Sequence, residues 1–185
     1  MNDDNVVHLS AFIESQCPDC TKFVNNQLVP VWSKFNKSRR LEVKIIPFGN
    51  ADCESVGDDF SCDCQHGEQE CFLNELMNCA IDILKDPRDH LPVIFCLEGK
   101  QNRDVGIKEC LLRHQQIPVH EIMECGATEK GRRLLAEAGN VTRSLRPLLH
   151  YVPWVLLDDK YSQSAENNLL ETLCNKWKPK PPECY

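Results

Sequence analysis

A Cys-x-x-Cys pair, Cys17-Pro18-Asp19-Cys20, stands between an apolar run and a segment of helical periodicity. The run Val6-Val7-His8-Leu9-Ser10-Ala11-Phe12-Ile13 reads as a short buried strand within residues 6–14. Residues 18–36 then place Val24, Leu28, Val31, Trp32 and Phe35 at steps of three and four, one apolar helix face. The two thiols therefore sit where a strand ends and a helix begins. At this spacing they can close a small disulfide ring across the first helical turn. The first cysteine lies at the helix N-terminus, where free N–H groups and the helix dipole stabilise a thiolate. Redox chemistry is one reading of such a pair; a structural disulfide and half of a zinc site are the others.

The chain has 185 residues, enough for one domain with a sizeable core or for one domain carrying a large insertion. It also has twelve cysteines, an even and unusually high number that points to an oxidising compartment. Two glycosylation sequons, Asn36-Lys37-Ser38 and Asn140-Val141-Thr142, agree with that. The start, Met1-Asn2-Asp3-Asp4-Asn5, lacks the basic and apolar regions of a signal peptide and reads as a mature domain with an added Met1. No apolar run approaches the length of a membrane span. The formal net charge is −7 and no basic stripe with interleaved aromatics occurs, which argues against nucleic acid as a partner.

Taken in order, Pro18 suits the first helical turn, and Pro30 predicts a kink or a second short helix. Leu41 to Phe48 alternates as a second strand, completing a right-handed βαβ unit with a parallel pair. Residues 50–66 read as irregular. A helix is expected over 68–85, with further helical segments near 88–99, 103–116 and 128–138, Thr128 capping the last and Gly139 lying near its end. Residues 50–148 thus form a helical, cysteine-rich insertion within a single domain spanning 1–185. Tyr151 to Leu157 reads as a strand, Asp158-Asp159 as a hairpin turn, and Lys160-Tyr161 as a short return strand. Leu169, Leu170, Leu173, Cys174 and Trp177 mark a last helix. The proline-rich tail, 178–185, is expected to be non-helical and pinned by a Cys174–Cys184 bridge. The order βαβ, insertion, ββα is that of an α/β, thioredoxin-like fold. In that pattern a cis-proline faces the dithiol, and Pro153 is the candidate.

One stretch narrows the field further: Cys64-Gln65-His66-Gly67-Glu68-Gln69-Glu70-Cys71-Phe72-Leu73-Asn74-Glu75-Leu76-Met77-Asn78-Cys79. It resembles the signature C-Q-H-G-x-x-E-C-x-x-N-x-x-x-x-C of the gamma-interferon-inducible lysosomal thiol reductase family, with Cys64, Gln65, His66, Gly67, Cys71, Asn74 and Cys79 among its fixed positions. Glu14–Cys20, Pro47–Asn50, Met123–Cys125 and Tyr151–Trp154 are similar to other family motifs. The resemblance implies a thiol reductase of the lysosomal, endosomal or secreted route that reduces protein disulfides at acid pH, without a cofactor. It implies disulfide-bonded protein substrates and a small thiol or dithiol as reductant. Cys17 becomes the candidate nucleophile and Cys20 the resolving thiol, with Val152 and Pro153 as candidate substrate-facing support. Cys53 and Cys62 lie outside the shared motifs and form a candidate extra bridge.

The other ten cysteines read as structural. The competing zinc set, Cys62, Cys64, His66, Cys71 and Cys79, is disfavoured by acid and by an oxidising compartment, so no metal is expected. His66 reads first as a structural histidine, with contact to the site or to a bridge loop as the other reading. Acid operation requires a depressed Cys17 pKa, because an unperturbed thiol is ionised only about once in ten thousand at pH ~4.5. An oxidase or isomerase would use the same residues. A secreted binding protein with a structural Cys17–Cys20 bridge is the alternative from another class.

Overall fold

The computed structural model describes residues 5–114 and 116–185. The reading of residues 1–4 lies outside them, as does Gln115 in the segment expected to be helical. Strand β1 (Val7–Ile13) leads to helix α1 (Pro18–Phe23), a π-helical stretch (Val24–Leu28), helix α2 (Val29–Phe35) and strand β2 (Leu41–Pro47). Pro30 has no N–H to donate one turn back, and the chain meets it by widening into the π stretch just upstream. β1 and β2 pair in parallel from Val7 opposite Leu41 to Ile13 opposite Pro47. Strand β3 (Asp52–Val56) and strand β4 (Asp59–Asp63) form a separate antiparallel hairpin. This corrects the irregular reading of residues 50–66.

The helices that follow are α3 (Glu68–Leu84), α4 (Pro87–Leu97), α5 (Arg103–Gly106, extended by a π stretch to Leu111), α6 (Val119–Ala127) and α7 (Glu129–Arg143). The sequence reading lacks α6. It also stops α7 short: the helix continues through Gly139 to Arg143. Gly139 is a packing residue rather than a terminator, since a Cβ there would lie 2.6 Å from the Phe48 ring. Thr128 does stand at the N-cap, though its side chain makes no capping bond.

The chain then returns through strand β5 (Trp154–Leu157) and strand β6 (Lys160–Tyr161), followed by helices α8 (Gln163–Asn167) and α9 (Leu169–Lys176). The main sheet has the order β2-β1-β5-β6, with β5 antiparallel to β1 and β6 antiparallel to β5. Asp158 and Asp159, at φ 49° and 62°, make the tight turn between β5 and β6. The tail departs from expectation in one respect, a single 3-10 turn over Pro182–Cys184.

The central strand β1 buries one face throughout and the other at Phe12, towards its end. Leu9, Ala11 and Ile13 join a core with Phe23, Leu28 and Phe35, and Phe12 joins a second core with Ile46, Trp154, Leu156 and Leu135. Five disulfides close the structure: Cys53–Cys62, Cys64–Cys71, Cys79–Cys125, Cys96–Cys110 and Cys174–Cys184. The cysteines of the zinc alternative are all consumed in these bridges. No helix among the described residues is long and apolar enough to cross a membrane.

Candidate active site

Cys17 and Cys20 are the free cysteines. The sheet, the insertion and the loop before β5 all converge on them. Cys17 occupies the N-cap of α1 with extended backbone (φ −76°, ψ 122°), and Pro18 fills the first helical turn. Proline is tolerated there because that N–H has no helical partner. The helix then places Cys20 one turn deeper. Cys20 is fully buried, while Cys17 retains 8 % exposure. The backbone N–H of Glu14 points at Cys20 Sγ across 3.5 Å.

These positions produce opposite acidities. The hydrogen bond from the Cys20 thiol is the main cause that lowers Cys17 to about 6. Backbone N–H groups of Cys20 and Asp19 assist, while burial and the Asp19 charge oppose. Burial, then the bond to Cys17, drives Cys20 far above the ordinary thiol range. One thiol is poised to ionise and the other holds its proton.

Across from the pair, the Val152–Pro153 peptide bond is cis. The Val152 carbonyl oxygen lies 3.9 Å from Cys17 Sγ. Having no N–H, Pro153 offers no donor at this edge. A cavity of about 320 Å³ beside it is lined by Asp19, Phe23, Tyr151, Val152, Pro153 and Glu166, among others. Trp154 belongs to the core, stacked on Tyr161 at 4.0 Å between ring centroids.

The insertion braces the loop that carries Cys17. On α3, Asn74 Oδ1 accepts from Ser15 N–H at 3.0 Å, the Glu70 carbonyl accepts from Ser15 Oγ at 3.1 Å, and Glu70 Oε2 accepts from Gln16 N–H at 3.3 Å. After α4, Gly99 N–H donates to Ser15 O at 2.8 Å, and Gln16 Nε2 donates to the carbonyls of Lys100 and Gln101. Thr21 Oγ1 lies 3.0 Å from Glu98 Oε1. The signature residues thus have separate structural positions. Cys64–Cys71 staples the start of α3, Gly67 takes the positive φ (95°) that precedes the helix, and Gln65 Oε1 accepts from Asn50 Nδ2. Cys79–Cys125 ties α3 to α6.

His66 reaches the dithiol loop. Its Nδ1 lies 2.7 Å from Glu70 Oε2 and 3.3 Å from Glu14 Oε2. Glu14, 1 % exposed, is seated by Asn50 N–H at 2.7 Å on Oε1 and by Gly49. Gly49 has φ +63°, and a Cβ there would fall 2.2 Å from Glu14 Cγ. Burial is the main cause that raises Glu14 to about 7. Burial also raises Glu98 well above the usual carboxylate range. For His66, burial works against the charge, but Glu70 and Glu14 together raise it. Glu14, His66 and Glu70 offer atoms within 4.8 Å of one another. The 2.7 Å Nδ1–Oε2 separation is a hydrogen bond, so His66 and Glu70 share a proton with Glu14 alongside.

Sequence reasoning singled out Cys17, Cys20, Val152 and Pro153, and the structure brings them together. It passed over Glu14, Glu70, Glu98 and Thr21. Glu14 and Glu70 carried a signal, because each occupies a fixed position of a motif; buried Glu98 had none. Both sequon asparagines lie away from the dithiol, Asn36 at the end of α2 and exposed Asn140 in the last turn of α7.

Comparison with known proteins gives a family and a fold. A GILT-like protein of Caenorhabditis elegans is 37 % identical over 98 % of this chain, which spans 56 % of that relative's length. The gamma-interferon-inducible lysosomal thiol reductase of Mus musculus is 30 % identical, covering 96 % of this chain and 71 % of its own. The crystal structure of oxidised BdbD from Bacillus subtilis superposes with a TM-score of 0.63 at 14 % identity, covering 96 % of this chain and 90 % of that one. That likeness establishes the fold, which is thioredoxin-like. Residues 8–114 match the profile described as gamma interferon inducible lysosomal thiol reductase. The chain therefore belongs to the gamma-interferon-inducible lysosomal thiol reductase family of thiol–disulfide oxidoreductases.

Proposed function

We propose that this chain reduces disulfide bonds of protein substrates at acid pH, with Cys17 as nucleophile and Cys20 as resolving thiol. The carrying observation is the contrast between the two free thiols, one lowered to about 6 and still 8 % exposed, the other fully buried and proton-holding. At pH ~4.5 a thiol of pKa about 6 is roughly 3 % ionised, roughly a thousand-fold more than one at 9.0. Cys17 thiolate attacks a substrate disulfide and forms a mixed disulfide. Cys20 then attacks the Cys17 sulfur, releases the reduced substrate and leaves Cys17–Cys20 oxidised. A small thiol or dithiol reopens that bond. The backbone at Val152, beside Pro153, supports an extended substrate strand next to the sulfur.

In this reading residues 1–185 act as one domain, the insertion over 50–148 supports the dithiol loop, and 178–185 is a stapled tail. Localisation in lysosomes or endosomes, or secretion, with glycans on Asn36 and Asn140, accompanies the proposal and suits five structural disulfides.

The test is reduction of a denatured disulfide-bonded protein at pH ~4.5 and ~7 by wild type, Cys17→Ser and Cys20→Ser. Activity that vanishes in Cys17→Ser, with a mixed disulfide trapped on Cys17 in Cys20→Ser, is the expected result. Wild-type activity in both variants, or none in the wild type at either pH, overturns it. A stabilised thiolate also favours the reduced form of the enzyme. The equilibrium of Cys17–Cys20 with glutathione therefore separates a reductase from an oxidase.

A further inference from the structure

The buried cluster behind Cys17 has no place in the two thiol-exchange steps, yet its charge state touches both. Its members come from separate elements: Glu14 follows β1, His66 precedes α3, and Glu70 lies in the first turn of α3. The other titratable groups facing it are Cys17, Cys20 and exposed Asp19 on α1, and buried Glu98 at the end of α4. Lys100, whose carbonyl accepts from Gln16, has its ammonium paired with Glu109 at 2.6 Å. His66 is therefore the cation of this group.

The hydrogen bonds assign the protons. Glu70 accepts from His66 N–H and Gln16 N–H and pairs with His66 Nδ1, which suits an ionised carboxylate. Glu14 Oε1 is filled by Asn50, but Glu14 Oε2 is buried and makes no hydrogen bond, since His66 Nδ1, 3.3 Å away, is bonded to Glu70 instead. A buried carboxylate oxygen without a donor favours carrying its own proton. With His66 charged, Glu70 ionised and Glu14 protonated, the cluster is neutral. Loss of the Glu14 proton puts one negative charge beside a sulfur that is anionic when reduced and neutral when oxidised.

We propose that Glu14 is the redox-linked proton store of this site: it takes up a proton through His66 when Cys17–Cys20 is reduced and gives one up when the disulfide forms. This rests on the reading of Cys17 as the ionised, attacking thiol. The step balances. A substrate disulfide R–S–S–R′ receives two electrons as the Cys17–Cys20 bond forms, and two thiols leave with two protons. Cys20 supplies one. Below pH about 6 Cys17 brings the other itself; above it Cys17 is already a thiolate with none to give, and Glu14 supplies the other. When an external dithiol reopens Cys17–Cys20, one proton returns to Cys20 and one to Glu14. His66, with 34 % of its side chain exposed, links buried Glu14 to water. Glu14 is a positioning residue here, since it acts on the sulfur through charge.

The test counts protons rather than turnover. The full chain is equilibrated with reduced and oxidised dithiothreitol between pH 4.5 and 8.5. The Cys17–Cys20 state is then read by alkylation and mass, and the pH dependence of the equilibrium gives protons taken up per two electrons. Without a store, the count falls from two to one as pH passes the Cys17 value of about 6. Wild type is expected to hold above one to higher pH, because Glu14 titrates near 7 beside the thiolate. Glu14→Gln, which keeps the acceptor for Asn50, is expected to break at lower pH than wild type. His66→Gln removes the cation, raises Glu14 further, and is expected to break at higher pH. Superimposable profiles for wild type and His66→Gln, or for wild type and folded Glu14→Gln, overturn the proposal. If the wild-type Cys17–Cys20 pair does not equilibrate with dithiothreitol at all, the reductase reading fails instead.

Discussion

The buried N–H of Ser15 donates to Asn74 Oδ1 across 3.0 Å, so a helix of the insertion holds the residue two places before Cys17. Together with the two Glu70 contacts, this bond fixes the direction in which Cys17 leaves β1 and enters α1. Asn74→Leu leaves a buried donor unpaired, which costs about 1–3 kcal/mol. Small misplacement of a reacting group costs up to about a hundred-fold in rate. The expected outcome is a lower urea midpoint with a ten- to hundred-fold loss, roughly, in disulfide reduction. An unchanged rate in a destabilised variant would show that the insertion supports the fold without aligning the thiol.

The dithiol and its neighbours were legible to different degrees. Cys17 and Cys20 declare themselves because their chemistry is local: three residues of spacing at a strand-to-helix junction. Pro153 follows because the element order leaves one proline at the start of β5. The carboxyls behind Cys17 do not declare themselves, because Glu14, Glu70 and Glu98 look like surface residues until tertiary packing buries them. The β3–β4 hairpin was missed for the opposite reason. Its strands hold exposed and half-buried residues with none fully buried, so apolar alternation is absent. Its cues were Gly57 at the turn and Cys53 directly opposite Cys62. Helix α6 is short and follows Pro118, with Ile122, Cys125 and Gly126 as its buried positions, too few to show periodicity.

Asp19 sits in the first turn of α1, and its charge works against the Cys17 thiolate. Asp19→Asn removes that repulsion while keeping the Asp19 backbone N–H that favours the anion. A partly solvated charge at this range contributes enough to change an equilibrium roughly two- to five-fold. The variant is therefore expected to lower the Cys17 pKa and raise its iodoacetamide rate at pH 5 by that factor. The measurement is alkylation of reduced protein across pH 4–8, with Cys20 as the unreactive internal control. A rate that falls would mean that the Asp19 carboxylate organises the helix start more than it repels the sulfur.

The Cys174–Cys184 bridge belongs to the other end of the molecule. Trp177 Nε1 donates to the Arg40 carbonyl, and Val7 N–H donates to the same oxygen, so α9 and the tail close the entry to β1 and β2. Cys17 follows the far end of β1, about 20 Å away by strand rise. Cys184→Ser opens a loop of sequence separation 10, and its loss is expected to lower stability by about 2–4 kcal/mol. The Cys17 alkylation profile should not move. Thermal unfolding and alkylation of the same sample separate the two effects, and a shifted Cys17 pKa would show coupling along the whole strand.

Glu14 also makes stability depend on pH. Its carboxyl titrates at 4.5 when unfolded and near 7 when folded, mainly through burial. Between those values the folded chain holds a proton that the unfolded chain has released. Stability from this group is therefore complete below about 4.5 and is lost as pH rises towards 7, on the order of 3 kcal/mol in all. Oxidised protein is the right sample, because Cys17 and Cys20 then do not titrate; without the Cys17 thiolate the folded value of Glu14 lies below that of the reduced state. Other shifted groups contribute too: Glu75 in the same direction, buried His90 in the opposite one. Comparison with Glu14→Gln largely cancels them. Urea unfolding at pH 5 should give similar stabilities for the two proteins. At pH 7.5 Glu14→Gln should be the more stable, because wild type must then bury an ionised carboxylate beside Glu70. A gap that stays constant between the two pH values would mean that Glu14 keeps its proton throughout, or never holds it, and the cluster could not exchange protons with the redox pair.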